Sequence, residues 1–325
     1  MNELLGLRAR RTPSGQCHVS CPAVPLQPFP IPTLMPESQA RPTALSFRAR
    51  ERVLDLHARV LIGGIVNVTP DSFSDGGRYL DPEAAVDHAA ALVEQGADLI
   101  DIGGESSRPG SAPVAPDEEL RRVMPVVRAV CRKVAVPVSV DTTKAVVAQR
   151  ALDAGAAIVN DISALRFDPG MAQVVAKAGA GLVLMHMQGT PQTMQQAPCY
   201  WDVVAEVRDF FRERLAAAAR AGIAAEQILL DPGLGFGKNL EHNLTLVDRL
   251  DRLVELGRPL MIGPSRKAFI GEVLDRAVSE RVMGTAAVVA VAVLRGARLV
   301  RVHDVAPVRD VVRMVEAIMA KGAAG

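Results

Sequence analysis

Residues able to do chemistry recur at regular intervals along this chain, each directly after a short apolar run. They are Asn67, Asp101 through Arg108, Asp141, Asn160 with Asp161, His186, Asp231, Ser265-Arg266-Lys267, and Arg301 with His303. The set mixes cations, carboxylates and amides. Carboxylates and amides match the N–H and carbonyl groups of a polar heterocycle, while Arg and Lys meet negative charge. A flat ring carrying an anion is the ligand class that fits. Arg301 and His303 are two residues apart, so on a strand they share one face and form an anion clamp. The bland alternative is that Arg301 pairs with the adjacent Asp304. Asp231, standing before Pro232, also fits a helix cap. The segment Asp231-Pro232-Gly233-Leu234-Gly235-Phe236-Gly237-Lys238 is glycine-rich but lacks the G-x4-G-K-[ST] order of a Walker loop. Its glycines instead allow backbone to approach a flat ligand closely.

The elements that must position these residues follow from a rhythm that begins at Leu61. Candidate strands are Leu61–Val68, Asp98–Ile102, Pro137–Asp141, Ile158–Asp161, Gly181–His186, Gln227–Asp231, Pro259–Ile262 and Leu299–Val302. Helical patterns lie between them at Pro82–Gln95, Pro116–Lys133, Lys144–Ala154, Pro169–Ala178, Trp201–Ala221, Leu240–Glu255 and Glu280–Arg295, with a last helix after Pro307. Gly96, Gly155 and Gly179 follow helices where left-handed C-caps belong. Eight strand–helix alternations predict a single-domain α/β fold, the (β/α)8 TIM barrel, over residues 45–325. An open doubly wound sheet is the alternative. In a barrel the residues just past each strand form the catalytic face, and here every strand ends in polar groups. The connections after the first two strands, Asn67–Gly77 and Gly103–Ser111, are longer than usual and read as substrate-contacting loops.

Bulk properties agree. The chain is 49% hydrophobic but only 3% aromatic, which matches strands of Val, Ile and Leu buried on both faces. A net charge of +1 argues against a nucleic-acid surface. No apolar run reaches the ~18 residues a membrane span requires. Cys17, Cys21, Cys131 and Cys199 show no metal-ligand spacing and read as reduced thiols of a cytoplasmic protein. Residues 1–44 hold eight prolines and no hydrophobic period, and are predicted to be a disordered N-terminal extension. An organelle transit peptide is the rival reading of this Arg-bearing segment. Phe47 to Leu56 reads as a short hairpin leading into the domain.

The strings NVTPDSFSDGG, GGESSRPG, VDTTK, NDIS, MHMQGTPQTMQ, DPGLGFGK, IGPSRKAFIG and GTAAVVAVAVLRGARLVRVHDV occur in that order over residues 50–320. Together they resemble the signatures of the dihydropteroate synthase family of pterin-binding enzymes. The resemblance implies condensation of 6-hydroxymethyl-7,8-dihydropterin diphosphate with p-aminobenzoate, giving 7,8-dihydropteroate and pyrophosphate. It implies Mg2+ with Asn67 as a ligand. Asp141, Asn160, Asp231 and Lys267 match pterin contacts, Asp231 on the guanidine-like edge and Lys267 on the acceptor side of the ring. Arg301, His303 and Arg108 match diphosphate contacts. Ser107, Pro109, Phe73 and Ser265 match positions around the p-aminobenzoate. Asp141, Lys267, Arg301 and His303 are the residues implied to act in catalysis.

Two departures stand out. Ser107 replaces a common Thr, and Pro264 precedes the S-R-K segment where other residues are frequent. The resemblance also implies a homodimer, with the apolar run Ala286–Leu294 as either interface or core. Two other functions are weighed. A pterin-binding methyltransferase domain expels no pyrophosphate, so it leaves Ser265-Arg266-Lys267 and Arg301-x-His303 without a task. A catalytically silent paralogue would be a binding protein, against which every charged group of the pattern is retained.

Overall fold

Buried on both faces, the strands are apolar along nearly their whole length, and this is what lets them close on themselves. The computed structural model describes residues 45–69 and 82–322. In chain order the elements are β1 (Ser46–Ala49), β2 (Arg52–Asp55), β3 (Leu61–Asn67), α1 (Pro82–Glu94), β4 (Leu99–Gly103), α2 (Pro116–Lys133), β5 (Val138–Asp141), α3 (Ala145–Asp153), β6 (Ile158–Asp161) and α4 (Met171–Ala178). There follow β7 (Gly181–Met185), α5 (Val203–Arg220), β8 (Ile228–Asp231), α6 (Leu240–Asp248), α7 (Asp251–Val254), β9 (Leu260–Ile262), α8 (Ala268–Leu274), α9 (Val282–Leu294), β10 (Ala297–Val302) and α10 (Val305–Gly322). Strands β3 to β10 form a closed parallel barrel. The ring is sealed by β10 on β3, where Arg301 is level with Gly63. An open doubly wound sheet has no such pair, so the barrel is the fold.

The β1–β2 hairpin caps the closed end. Phe47 and Leu56 are fully buried among Leu61, Leu99, Ile158, Leu229 and Leu299 of the barrel interior. Burying two such side chains stabilises by about 1.5–3 kcal/mol each. The fit is tight at Gly181, where a Cβ would lie 2.5 Å from Phe47 Cζ. Backbone joins the two parts as well, with Arg50 N–H donating to the Gly179 carbonyl at 2.8 Å. With this end filled, the open end belongs to the loops that follow each strand.

Three helix expectations need correction. The single helix Leu240–Glu255 is two, α6 and α7, because Arg249 leaves the helical region (φ −107°, ψ 25°) while Leu246, Leu250 and Leu253 all remain buried. The last helix begins at Val305, ahead of Pro307, since proline is accommodated in a first turn where its missing N–H is no loss. Helix α8 was not expected; it is a short element of about two turns, buried through Phe269 and Ile270. Gly96, Gly155 and Gly179 do carry positive φ after their helices. Residues 1–44 and 70–81, including Phe73, lie outside the described residues, so the expectation for the N-terminal extension does too. Among the described residues no helix is long and apolar enough to cross a membrane.

Candidate active site

Asp101, Asp141 and Asn160 come to one place because β4, β5 and β6 run level: Asp141 is opposite both Gly103 and Asn160. A Cβ at Gly103 would sit in contact with the Asp141 side chain, 3.4 Å from its Cβ. Arg301 of β10, separated from β4 by β3 alone, reaches over to both carboxylates. Its Nε donates to Asp101 Oδ2 at 2.5 Å and its Nη2 to Asp141 Oδ2 at 2.8 Å. Asn160 Nδ2 donates to the same Asp101 oxygen at 3.1 Å. The expected alternative for Arg301, a pair with Asp304, is taken instead by Arg266, which holds Asp304 in a two-pronged contact at 2.9 and 2.5 Å.

That contact has local consequences. Arg266 has φ 55°, a conformation that costs a non-glycine residue ~1–2 kcal/mol. The ion pair and a hydrogen bond from Arg266 N–H to Thr285 Oγ1 at 3.1 Å fix it there. Pro264 carbonyl accepts the Lys267 N–H at 3.2 Å, closing the turn that presents Ser265 and Lys267 on the open end. The ring of Pro264 fixes its own φ, which stiffens this turn without adding a polar group.

Around this turn the charges are unusual. Lys267 Nζ lies 4.1 Å from the Phe236 ring centroid. Burial and the nearby Arg301 push its ammonium down to about 8. His303 joins Ser265 through Nδ1 at 2.9 Å and Asn67 through Nε2 at 3.3 Å. The Asn67 atom is its Nδ2, a donor, so Nε2 accepts and Nδ1 carries the proton. Burial, Arg301 and Arg266 push His303 down to about 4, which keeps it neutral in the free site. Burial raises the Asp141 carboxyl well above its ordinary value; Arg301 opposes this, and Asp101, Glu119 and Asp161 add to it. Asp231, 4% exposed, is also raised by burial, although its Oδ1 accepts the Gly233 N–H at 2.8 Å.

Not every strand-end group faces the site. Asp161 is spent on its own loop, accepting from Ser163 N–H, Ser163 Oγ and Leu165 N–H. Ser107 is half-buried, with Arg108 and Pro109 exposed beside it, on the rim of a cleft of about 220 Å³ that Asp141, Thr142, Lys144 and Phe167 also line. The loop carrying them is tied down by Gly110 N–H on the Pro191 carbonyl at 2.9 Å. Sequence reasoning set Asp101 among the strand-end polar groups without a task of its own, and gave Phe236 no role. Period-two alternation with Gly103 would have placed Asp101 on the inner face. Nothing local marks Phe236, since it meets Lys267 only through the fold.

Residues 63–303 match the model of the family described as pterin binding enzyme. A dihydropteroate synthase of Escherichia coli (strain K12) is 49% identical over 267 residues, 82% of this chain and 94% of the relative. The chain belongs to the dihydropteroate synthase family. A solved Yersinia pestis family member, in complex with a sulfonamide drug, superposes with TM-score 0.81 at 44% identity, covering 85% of this chain and all (100%) of that one. Another, from Xanthomonas albilineans and holding 4-aminobenzoic acid, gives TM-score 0.80 at 48% identity, covering 86% and 99%. As a member of the dihydropteroate synthases the chain is a transferase of folate biosynthesis, on the (β/α)8 barrel its sequence implied.

Proposed function

We propose that this barrel mouth joins 6-hydroxymethyl-7,8-dihydropterin diphosphate to p-aminobenzoate, with Asp141, Asn160, Asp231 and Lys267 around the pterin. The observation that carries the pterin assignment is a pair of buried acceptors. Asp101 Oδ1 and Asn160 Oδ1 are buried and meet no hydrogen-bond donor, and Arg301 stands against the same Asp101. Buried oxygens left so are costly, and a ring edge rich in N–H groups supplies donors for them. Asp231 faces the guanidine-like edge, Asn160 stands beside it, and Lys267 donates to the opposite, acceptor side. Soaking with the pterin diphosphate tests this; a ring bound away from Asp231 and Asn160 would refute it.

In the reaction the methylene C–O bond to diphosphate breaks, and the aryl nitrogen forms the new C–N bond and loses a proton. An arylamine is already a neutral nucleophile, so departure of the charged leaving group is the harder part. The electron-rich dihydropterin spreads the positive charge that develops at the methylene. Asp141 stabilises that cation, and its raised affinity for a proton in the free site is the reason. Its negative charge is held there at a cost that the developing cation relieves. Arg301, His303 and Arg108 meet the pyrophosphate; Arg301 uses Nε and Nη2 on its carboxylates, which leaves Nη1 for an anion. Ser107, Pro109 and Ser265, with Phe73, surround the p-aminobenzoate.

Mg2+ fits a limited protein share. Asn67 offers one hard amide oxygen at the end of β3, and among the described residues no cluster of three or more His, Cys, Asp or Glu could hold a metal. Magnesium bound by substrate phosphates, waters and one side chain has that character, and would supply charge neutralisation of the leaving group.

We propose further that the chain pairs with a second copy through an apolar outer face. Helix α9 buries Ala286, Val289 and Val293 against the barrel, while Met283 (75% exposed) and Leu294 (56%) face outward. On the adjoining α10, Met314 (62%) and Ile318 (58%) are also open. A homodimer that buries these side chains is the reading, and sedimentation equilibrium of a Met283→Glu/Leu294→Glu variant tests it; an unchanged mass would refute it.

A further inference from the structure

The glycine-rich segment after β8 ends in a lysine that the reaction, as assigned above, does not use. Lys238 is 2% exposed. Its Nζ meets no carboxylate; it donates to the Phe236 carbonyl at 2.9 Å and the His186 carbonyl at 3.4 Å, and contacts His186 Nδ1 at 2.9 Å. A buried ammonium without an ion pair is costly, and burial does push Lys238 down to about 7. Its neighbour His186 is pushed well below its ordinary value by burial and by Lys238, so the ring is neutral and Nδ1 accepts.

Other carbonyls of this segment are tied as well. Tyr200 hydroxyl donates to the Gly237 carbonyl at 2.8 Å, and Gln195 Nε2 to the Gly235 carbonyl at 2.7 Å. Lys238 differs in linking the two loops from inside. It grips Phe236 on its own segment and His186 at the end of β7, where Gly233 passes so close that a Cβ would fall 2.0 Å from the His186 oxygen. Phe236 in turn presents its ring to Lys267 Nζ at 4.1 Å. A chain of contacts thus runs from Lys238, through the Phe236 backbone and ring, to the ammonium assigned to the pterin.

We infer that Lys238 is a positioning residue of the pterin pocket, setting Phe236 and, through its ring, Lys267. This rests on the reading of the site given above. Small misplacements of a binding group reduce rates by up to ~100-fold. Lys238→Met keeps the length and apolar stem but removes the donors. For that variant the KM for pterin diphosphate is expected to rise about tenfold or more, while the KM for p-aminobenzoate changes less than about twofold. Phe236→Leu is expected to give the same split, and the double variant no further loss, because both lie on one path. A Gly181→Ala variant, destabilised at the closed end of the barrel, controls for stability and is expected to leave both constants unchanged.

Equal rises in both KM values for Lys238→Met, unchanged values, or additive losses in the double variant would overturn the inference. Should Lys238→Met fail to fold, Phe236→Leu alone decides, since an unchanged pterin KM there breaks the chain at its middle link. Failure of the underlying reading shows differently: the unaltered protein would release no pyrophosphate from the pterin diphosphate.

Discussion

Arg301 Nη2 donates to Asp141 Oδ2 across 2.8 Å, joining β10 to β5 across the barrel mouth. The pair places the group assigned to the leaving anion against the group assigned to the developing cation. Because Asp101 also holds Arg301, at 2.5 Å, neutralising Asp141 leaves the guanidinium anchored. Asp141→Asn is therefore expected to lower kcat by roughly 100-fold while the Kd for pterin diphosphate shifts only a few-fold. Initial rates and isothermal titration check this. Similar losses in both would remove the catalytic role from Asp141.

Lys267, held down to about 8, changes charge inside the working pH range. Its ammonium form is present below that value and is lost as pH rises through it. Pterin diphosphate binding is expected to weaken about tenfold between pH 7 and 9.5, the difference between a charged and a neutral donor. Lys267→Arg, which stays charged, is expected to flatten that limb in titrations across the range. Parallel curves for the two proteins would assign the limb to another group.

His303 makes a prediction about stability. Its folded value of about 4 lies below the ordinary 6.5. The sign follows: the stability it contributes is complete above pH 6.5 and is lost as pH falls towards 4. Relative to His303→Gln, the unaltered protein is expected to lose up to about 3 kcal/mol over that window. Urea unfolding at pH 7 and 4.5 reads the difference; an equal loss in both proteins would contradict a buried neutral imidazole.

At the closed end, Gly181→Ala sets a methyl against Phe47. About 1–3 kcal/mol of destabilisation is expected, as overpacking usually costs, with turnover unchanged because the site lies at the other end. Phe47→Leu in the same chain is expected to restore much of the loss. Thermal unfolding compares the three proteins, and a Gly181→Ala protein as stable as the parent would deny the hairpin its sealing role.

The strand ends were readable because each apolar run stops at a polar residue, so Asn67, Asp141, Asn160, Asp231 and Arg301 could be placed on one face from order alone. What each side chain then does depends on neighbours far away in the chain. Asp161 looks as chemical as Asn160 in sequence, yet it turns back to brace its own loop. Asp304 stands next to the clamp but pairs with Arg266 from another strand end. Asp101 and Phe236 gain their importance only from Arg301 and Lys267, which arrive from β10 and from the turn after β9. Helix boundaries failed for local reasons, as where Pro307 reads as a beginning but occupies a first turn.

Release of pyrophosphate from 6-hydroxymethyl-7,8-dihydropterin diphosphate, followed with and without p-aminobenzoate, tests the central claim most directly. The account expects release that depends on p-aminobenzoate, equals the 7,8-dihydropteroate formed, and yields to sulfonamide competition. Binding of the pterin diphosphate without any release, at saturating p-aminobenzoate and Mg2+, would contradict it.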